Sequence, residues 1–359
     1  MIHRLAACCL ILTLLSLAQS SQGRTLISVA DIAEKAIPGV VNIRTTQYTP
    51  NKDPALDLYQ FFLNGRAPLN QSTHAIGSGV IINNQGHVLT NAHVIEGASV
   101  IEVLLAKSKQ KLTAKVLGID PKTDLALLKI SGNIALTPLR LGDSDSLRVG
   151  DPVLAIGNPF GYSHTVTSGI ISARDRVIGN GPYDNYLQTD ASIHPGNSGG
   201  PLLDIDGQVI GINTAVSNEG PGIGFAIPIN IAKQISKDLA TYGKAKRPWL
   251  GMVGKNILSS DEIDSVGGSL LGVYGVIVSN LIVDSPAHRS GLRIGDVVLT
   301  ADDQKITDLN QFQRILTNKQ PRGKVKLKLY RKNKGYLFAT VILDETPKAD
   351  QLPQERDLF

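Results

Sequence analysis

Gly79-Val80-Ile81-Ile82, Asn83-Asn84-Gln85-Gly86 and His87-Val88-Leu89-Thr90 follow one another without interruption. An apolar run, a polar tetrapeptide of turn formers and a second apolar run read as a β-hairpin. The pattern continues outward on both sides, from Val40 to about Pro228. Further candidate strands are Lys111–Ile119, Leu125–Ile130, Val153–Gly157, Thr165–Ala173, Val209–Asn213 and Gly224–Pro228. Closely spaced strands with almost no helical periodicity argue for a mainly β sandwich or barrel. The 35 glycines, against 7 Phe and 1 Trp, supply the tight turns such a fold needs. Gln47 to His74 breaks the pattern and reads as a long loop. Its apolar cluster Leu58-Tyr59-Gln60-Phe61-Phe62 suggests that the loop docks against something.

The hairpin runs directly into Asn91-Ala92-His93-Val94-Ile95, which sets a histidine just beyond an apolar strand. Asp120-Pro121-Lys122-Thr123-Asp124 sets a carboxylate at the mouth of the strand Leu125–Ile130. Pro195-Gly196-Asn197-Ser198-Gly199-Gly200-Pro201 places a serine on a glycine-rich turn, where neighbouring N–H groups can converge on one point. A serine hydroxyl is a weak nucleophile and needs a base titrating near neutrality. Histidine supplies the base, and a carboxylate can hold its tautomer. The order His93, Asp124, Ser198 is the chymotrypsin order, not that of subtilisin or the α/β-hydrolases. The N–H groups of Gly196 and Ser198 are the expected oxyanion donors. Asn213-Thr214-Ala215 is the strand expected to pair with substrate, and Ser192, Ile193 and Val216 are expected to line the primary pocket. None of these three is acidic, so cleavage after small or medium apolar residues is expected.

With these motifs, Gly77-Ser78-Gly79, Leu141-Gly142-Asp143-Ser144, Ala155–Gly161, Gln188-Thr189-Asp190-Ala191 and Gly224–Pro228, the sequence resembles the HtrA/Deg family of serine proteases from Val29 to Leu343. The resemblance implies a chymotrypsin-like double β-barrel, perpendicular barrels with the triad between them, and trimers or larger oligomers. It also implies activation-sensitive loops at Gln47–His74, Ala173–Tyr186, Asp190–Gly196 and Ala215–Gly222. One departure is His194, where the family commonly has Asn before Pro-Gly-Asn-Ser; a protonatable side chain there could add an acid limb to the pH profile.

Trp249-Leu250-Gly251-Met252 resembles the carboxylate-binding loop of the family's PDZ domains, and Ser285 to Val298 resembles their second signature. Such a domain captures C-terminal peptides by strand addition. A single PDZ domain resembles the DegS branch, which senses misfolded outer-membrane-protein tails; the Tyr59-Phe61-Phe62 loop is more like the DegP/DegQ branch. The resulting division is residues 1–23 a signal peptide or membrane anchor, 24–241 a trypsin-like serine protease domain, 242–247 a linker, 248–345 a PDZ domain and 346–359 a flexible tail. Between the two domains, Ile231, Ile235 and Leu239 recur four apart behind Asn230, predicting a helix capped by Asn230.

The chain has 359 residues, long enough for about two or three folding units. Arg4 followed by the apolar run Leu5–Leu17 and the small, polar Ala18–Ser21 reads as a secretory signal. The apolar run falls short of the ~20 residues that a spanning helix needs. Export to the periplasm is expected, with inner-membrane anchoring through this N-terminus the alternative. Both cysteines, Cys8 and Cys9, lie in this segment, so thiol catalysis and thiolate metal sites are excluded once it is removed. A formal charge of +5 does not point to nucleic acid. No HExxH and no phosphate-cradling loop occurs, so neither metal nor cofactor is expected. Expected partners are unfolded or misfolded proteins and C-terminal peptides; Asp357-Leu358-Phe359 is itself an apolar terminus such a groove could accept. The reading is an ATP-independent envelope endopeptidase acting on misfolded or signalling proteins, the alternative a chaperone or peptide-binding scaffold with secondary proteolysis.

Overall fold

The computed structural model describes residues 28–49, 71–106, 110–132, 134–158, 164–179, 183–194, 196–216, 222–257 and 274–347. The N-terminal apolar segment, the Leu58–Phe62 cluster, Pro195 and Phe359 lie outside them.

Helix α1 (Val29–Ala36) opens the described chain; the Ala30 N–H donates to the Ser28 hydroxyl at 3.2 Å, and Ile32, Ala33 and Ala36 are buried. Strands β1 (Val40–Thr49), β2 (Gln71–Ile81), β3 (His87–Thr90), β4 (Val100–Leu105), β5 (Lys111–Asp120) and β6 (Leu125–Ile130) close into a barrel in the order β1-β2-β3-β6-β5-β4. Strands β7 (Pro152–Gly157), β8 (Thr165–Arg176), β9 (Tyr186–Thr189), β10 (Pro201–Leu203), β11 (Val209–Val216) and β12 (Gly224–Pro228) close a second, in the order β10-β11-β12-β9-β8-β7. This is the expected chymotrypsin-like pair. The opening hairpin is β2–β3, with Val80 opposite Leu89 and Ile81 opposite Val88.

The run Leu125–Ile130 is apolar almost throughout because both of its faces are covered. Ala126, Leu128 and Ile130 fill the first barrel. Leu125 and Leu127 turn outward into a seam shared with Leu154, Ile156 and Ile212 of the second barrel and with α1. Alternation along a strand distributes its side chains between the two cores. The ends of the expected loop Gln47–His74 are strand instead: β1 and β2 pair as far as Thr49 and Gln71. Likewise β8 runs to Arg176 and β11 to Val216, inside segments expected to be loops.

The short one-turn helix α2 (Ala92–Ile95) follows β3. Helix α3 (Ile229–Tyr242) packs Ile229, Ala232, Ile235 and Leu239 into the seam. It begins two residues earlier than the periodicity predicts, with Pro228 rather than Asn230 at the cap position. Asn230 therefore sits inside the first turn, and its side-chain amide donates to Asp143 at 2.6 Å. Gly243, with φ 71°, ends the helix in the left-handed conformation that glycine adopts freely.

Strand β13 (Pro248–Trp249) then leads into the last unit, with β14 (Met252–Asn256), β15 (Val276–Leu281), helix α4 (Pro286–Arg289), β16 (Val297–Ala301), β17 (Gln304–Lys305), helix α5 (Leu309–Thr317), β18 (Lys324–Arg331), β19 (Gly335–Ile342) and β20 (Asp344–Glu345). The sheet order is β14-β15-β16-β18-β19, and β13 pairs with β20. Phe312, Ile315 and Leu316 of α5 close its core over Val278, Val298 and Leu327.

Candidate active site

The first barrel brings His93 and Asp124 together at the end of two paired strands, β3 and β6. The turn Pro121–Asp124 ends with Asp124 at φ 54°, a left-handed conformation that Asp tolerates better than most residues. Around it the main chains interlock: the Ala92 N–H donates to the Asp124 carbonyl at 3.1 Å and the Asn91 amide to the same oxygen at 3.0 Å. The carboxylate accepts from the His93 N–H at 3.0 Å and lies 2.8 Å from the ring Nδ1. Thr214 of the second barrel donates its hydroxyl to Asp124 Oδ2 at 2.5 Å. An ionised carboxylate only accepts, so Nδ1 carries the proton and Nε2 keeps its lone pair. The hydrogen bond it donates to Asp124 raises the His93 pKa above its ordinary value; burial opposes it, and the charges of Asp124 and Glu96 add to it.

The second barrel presents Ser198 on the loop between β9 and β10, tied largely through main-chain groups. The Asn197 N–H donates to the His194 carbonyl at 3.1 Å, and Gly196 has φ 108°. That positive φ is a backbone conformation glycine adopts at no steric cost. The Asn197 side chain braces this turn, accepting from the His194 N–H at 3.0 Å and donating to the Ser192 carbonyl at 3.1 Å. Beyond the serine, Gly199 donates to the Asn213 carbonyl at 2.8 Å and Asn213 to the Gly200 carbonyl at 2.9 Å. There is no room for side chains here: a Cβ on Gly199 would lie 2.2 Å from the Ser78 carbonyl oxygen, and one on Gly200 2.2 Å from that of Ile156.

Ser78 joins the halves. Its N–H donates to the Ser198 carbonyl at 2.9 Å, and its hydroxyl donates to the Gly196 carbonyl at 2.5 Å while accepting from the Asn158 N–H at 2.8 Å. Thr90 in turn donates to the Ser78 carbonyl at 2.7 Å. The Ser198 hydroxyl itself donates to the Thr214 carbonyl at 3.3 Å.

Sequence reasoning did not assign roles to Ser78, Thr90, Asn91 or Asn158. The available signal was a polar residue beside glycine, in Gly77-Ser78-Gly79 just before the apolar end of β2 and in Gly157-Asn158 just past the apolar β7. Thr214 has a second contact that the substrate-strand expectation did not contain, the bond to Asp124.

The remaining expected positions separate. Ile193 is buried among Leu187, Leu202 and Ala226, whereas Ser192 is exposed. Asn213 is fully buried, its amide donating to the Pro201 carbonyl at 3.1 Å, and its N–H and carbonyl are both engaged by the serine loop. The main chain of Ala215 and Val216 pairs with Phe225 and Gly224; their side chains lie outside what is described. His194 is exposed, on the turn that leads to Ser198.

In the last unit the side chains of Leu250 and Met252 are core. The Leu250 carbonyl accepts from Ala287 at 2.9 Å and the Gly251 carbonyl from Ile282 at 3.0 Å. Gly251 has φ 77°, and a Cβ there would lie 2.2 Å from Ser285 Cβ. Trp249 is buried beside this loop, in β13.

The linker touches the catalytic region. Arg247 donates to Asp120 at 2.5 Å, Thr123 donates to the same oxygen at 2.5 Å, and the Arg247 guanidinium lies 4.3 Å from the ring centre of Tyr183.

Residues 77–212 match the family described as trypsin-like peptidase domain, and residues 244–341 match the PDZ domain family. A DegP-like periplasmic serine endoprotease of Marinomonas sp. is 38% identical over 335 residues, covering 87% of this chain and 70% of the relative. Among solved structures, the HtrA-type protease AlgW with a decapeptide is 37% identical, with TM-score 0.72, covering 90% of this chain and all of that one. The serine endoprotease from Yersinia pestis is 31% identical, with TM-score 0.62, over 89% of this chain and 98% of its own length.

Proposed function

Because this chain belongs to the HtrA family of serine endoproteases, we propose that His93, Asp124 and Ser198 are its catalytic triad and that it cleaves unfolded or misfolded proteins in the periplasm under the control of C-terminal peptides. The observation that carries the reading is the Asp124 carboxylate. It grips both the ring and the main chain of His93, and Thr214 of the other barrel, whose carbonyl accepts from the Ser198 hydroxyl, donates to it.

In this mechanism Ser198 Oγ attacks the scissile carbonyl carbon and its proton passes to His93 Nε2. Asp124 stays ionised and stabilises the imidazolium. The negative oxygen of the tetrahedral intermediate accepts from the N–H groups of Gly196 and Ser198, each such donor contributing roughly 3 kcal/mol. The Asn197–His194 main-chain hydrogen bond and the positive φ of Gly196 support that assignment, since both hold the main chain at Gly196 in place. The intermediate collapses as His93 returns the proton to the leaving amine, and water repeats the sequence on the acyl-enzyme.

Main-chain groups of Thr214–Val216 extend beyond the engaged Asn213 and suit antiparallel pairing with a substrate. Ser192, Ile193 and Val216 offer no carboxylate, favouring small or medium apolar side chains at the cleaved bond. At the PDZ domain, the carbonyls of Leu250 and Gly251 face inward, which supports capture of a terminal carboxylate by N–H groups of the Trp249–Met252 loop and strand addition to β14. Export through residues 1–23, a trimeric or larger assembly and a role in protein quality control belong to the same reading. It is tested by casein cleavage with wild type and Ser198→Ala, each with and without a peptide ending in an apolar aromatic residue. Activity confined to wild type and raised by the peptide is expected; equal inertness of both proteins under both conditions would sink it.

A further inference from the structure

Residues Lys319-Gln320-Pro321-Arg322-Gly323-Lys324-Val325-Lys326-Leu327-Lys328-Leu329-Tyr330-Arg331-Lys332-Asn333-Lys334 carry eight cations and no carboxylate. Removing eight charges from the formal +5 of the chain leaves −3, so the basicity of the whole protein resides in this stretch. Two of the cations have structural work: Arg331 pairs with the fully buried Asp296, and Lys319 pairs with Asp302. Lys324, Lys326 and Lys328 stand on β18 itself.

That face is set by alternation. Val325, Leu327 and Leu329 enter the domain core, so Lys324, Lys326 and Lys328 point away from it. Residues opposite one another in an antiparallel pair share a face. The register sets Lys324 against Ile342, Lys326 against Thr340, Lys328 against Phe338 and Tyr330 against Tyr336. On β19 this leaves Phe338 80% exposed, Tyr336 57% and Ile342 52%. The Lys328 ammonium lies 4.7 Å from the Tyr336 ring centre, and the Tyr330 and Tyr336 rings meet edge to face at 5.7 Å. The result is one flat strip with a lysine row on one strand and apolar and aromatic groups on the other.

We propose that this outward face of the β18–β19 hairpin docks on an anionic lipid bilayer. Lysine stems lie along apolar surface while their ammonium groups reach lipid phosphates, and aromatic rings settle at the boundary of headgroup and acyl chain. Such a strip suits both layers at once. A soluble polyanion would engage the lysines but leave Phe338 in water. Two copies pairing face to face would set lysine row near lysine row; the nearby carboxylate of Asp302 is already engaged by Lys319. β19 and β14 are opposite edges of the sheet, so docking here leaves the expected peptide-binding edge open.

The test uses the full chain with Phe338→Trp, whose emission is compared with that of the parent, in which the single Trp249 is buried. Vesicles of phosphatidylglycerol with phosphatidylcholine should shift the new emission to the blue and added salt should reverse the shift. Vesicles of phosphatidylcholine alone should leave it unchanged. Lys324→Gln, Lys326→Gln and Lys328→Gln together should weaken the vesicle titration about a hundredfold, at roughly fivefold per lysine. Peptide cleavage without lipid should stay at the parent rate, which controls for folding. No shift with phosphatidylglycerol, an equal shift with phosphatidylcholine, or indifference to the lysine substitutions overturns the proposal. An equal shift with soluble polyphosphate would reassign the face to a polyanion. Dissociation of the oligomer by Phe338→Ser would reassign it to a second copy.

Discussion

The first barrel holds its half of the site with side chains: the Asp124 carboxylate, the His93 ring, the Asn91 amide and, reaching across, the Thr214 hydroxyl. The second barrel holds Ser198 mainly with main-chain bonds and with the absence of side chains at Gly199 and Gly200. The chemistry explains the contrast. A base must change protonation state and swing through small angles, and a carboxylate partner allows that while keeping the ring oriented. The oxyanion donors must not move, because a dipole fixed before the reaction needs no reorganisation during it. One half is therefore tuned by charge and the other by space.

Substitutions that remove charge without changing shape should injure the first half most. Asp124→Asn keeps the outline but presents an amide N–H or a weaker acceptor to the ring, and kcat should fall about 10⁴-fold. Thermal unfolding should barely move, which a paired melting curve and peptide assay would check. A comparable loss of stability would place Asp124 in the scaffold instead.

Substitutions that fill space should do the reverse to the second half. Gly199→Ala forces a Cβ against the Ser78 carbonyl at a positive φ, so stability should drop by about 2–4 kcal/mol, with activity lost as the loop shifts. Denaturant melts of this variant beside Asp124→Asn provide the direct contrast.

Ser78→Ala probes the join. It removes the donor to the Gly196 carbonyl and the acceptor for the Asn158 N–H, and leaves both buried groups unpaired at a cost of about 1–3 kcal/mol. We expect kcat to fall roughly tenfold with KM nearly unchanged, since the substrate strand lies elsewhere. A change confined to KM would contradict the assigned role.

The smallest effect is on pH. As the proposed base, His93 must be neutral, and its pKa is raised mainly by the bond to Asp124. The acid limb of kcat/KM should therefore have its midpoint above the ordinary value of about 6.5. His194→Asn should leave that limb where it is if His194 serves only through its main chain. A shift of the limb would bring the exposed imidazole into the mechanism. The raised pKa has the opposite sign for stability: the bond favours folded, protonated His93 below pH 6.5, and that contribution is lost as pH rises through the folded value.

Much of this was readable along the chain. The strand Leu125–Ile130 was visible because its apolar run is bounded by turn residues, and the order His93, Asp124, Ser198 because each stands at a strand end or on a tight turn. Helix α1 was not read, although Ser28 before Val29 and the spacing of Ile32, Ala33 and Ala36 are a capped amphipathic pattern. A single buried turn and a half is too short to stand out from neighbouring strands. Helix α3 was read from its period but not from its cap, since Pro228 ends β12 and starts the helix at the same point.

By itself the sequence determined which chemistry the chain can perform and which fold class carries it, because residue type and period are local properties. Tertiary structure alone decided what holds the site in register. Thr214 reaches Asp124 across 90 residues of chain, and Ser78 reaches the Gly196 carbonyl across 118. A hydrogen bond between partners so far apart leaves no periodicity at either end; only the closing of two barrels against each other brings donor and acceptor within 3 Å.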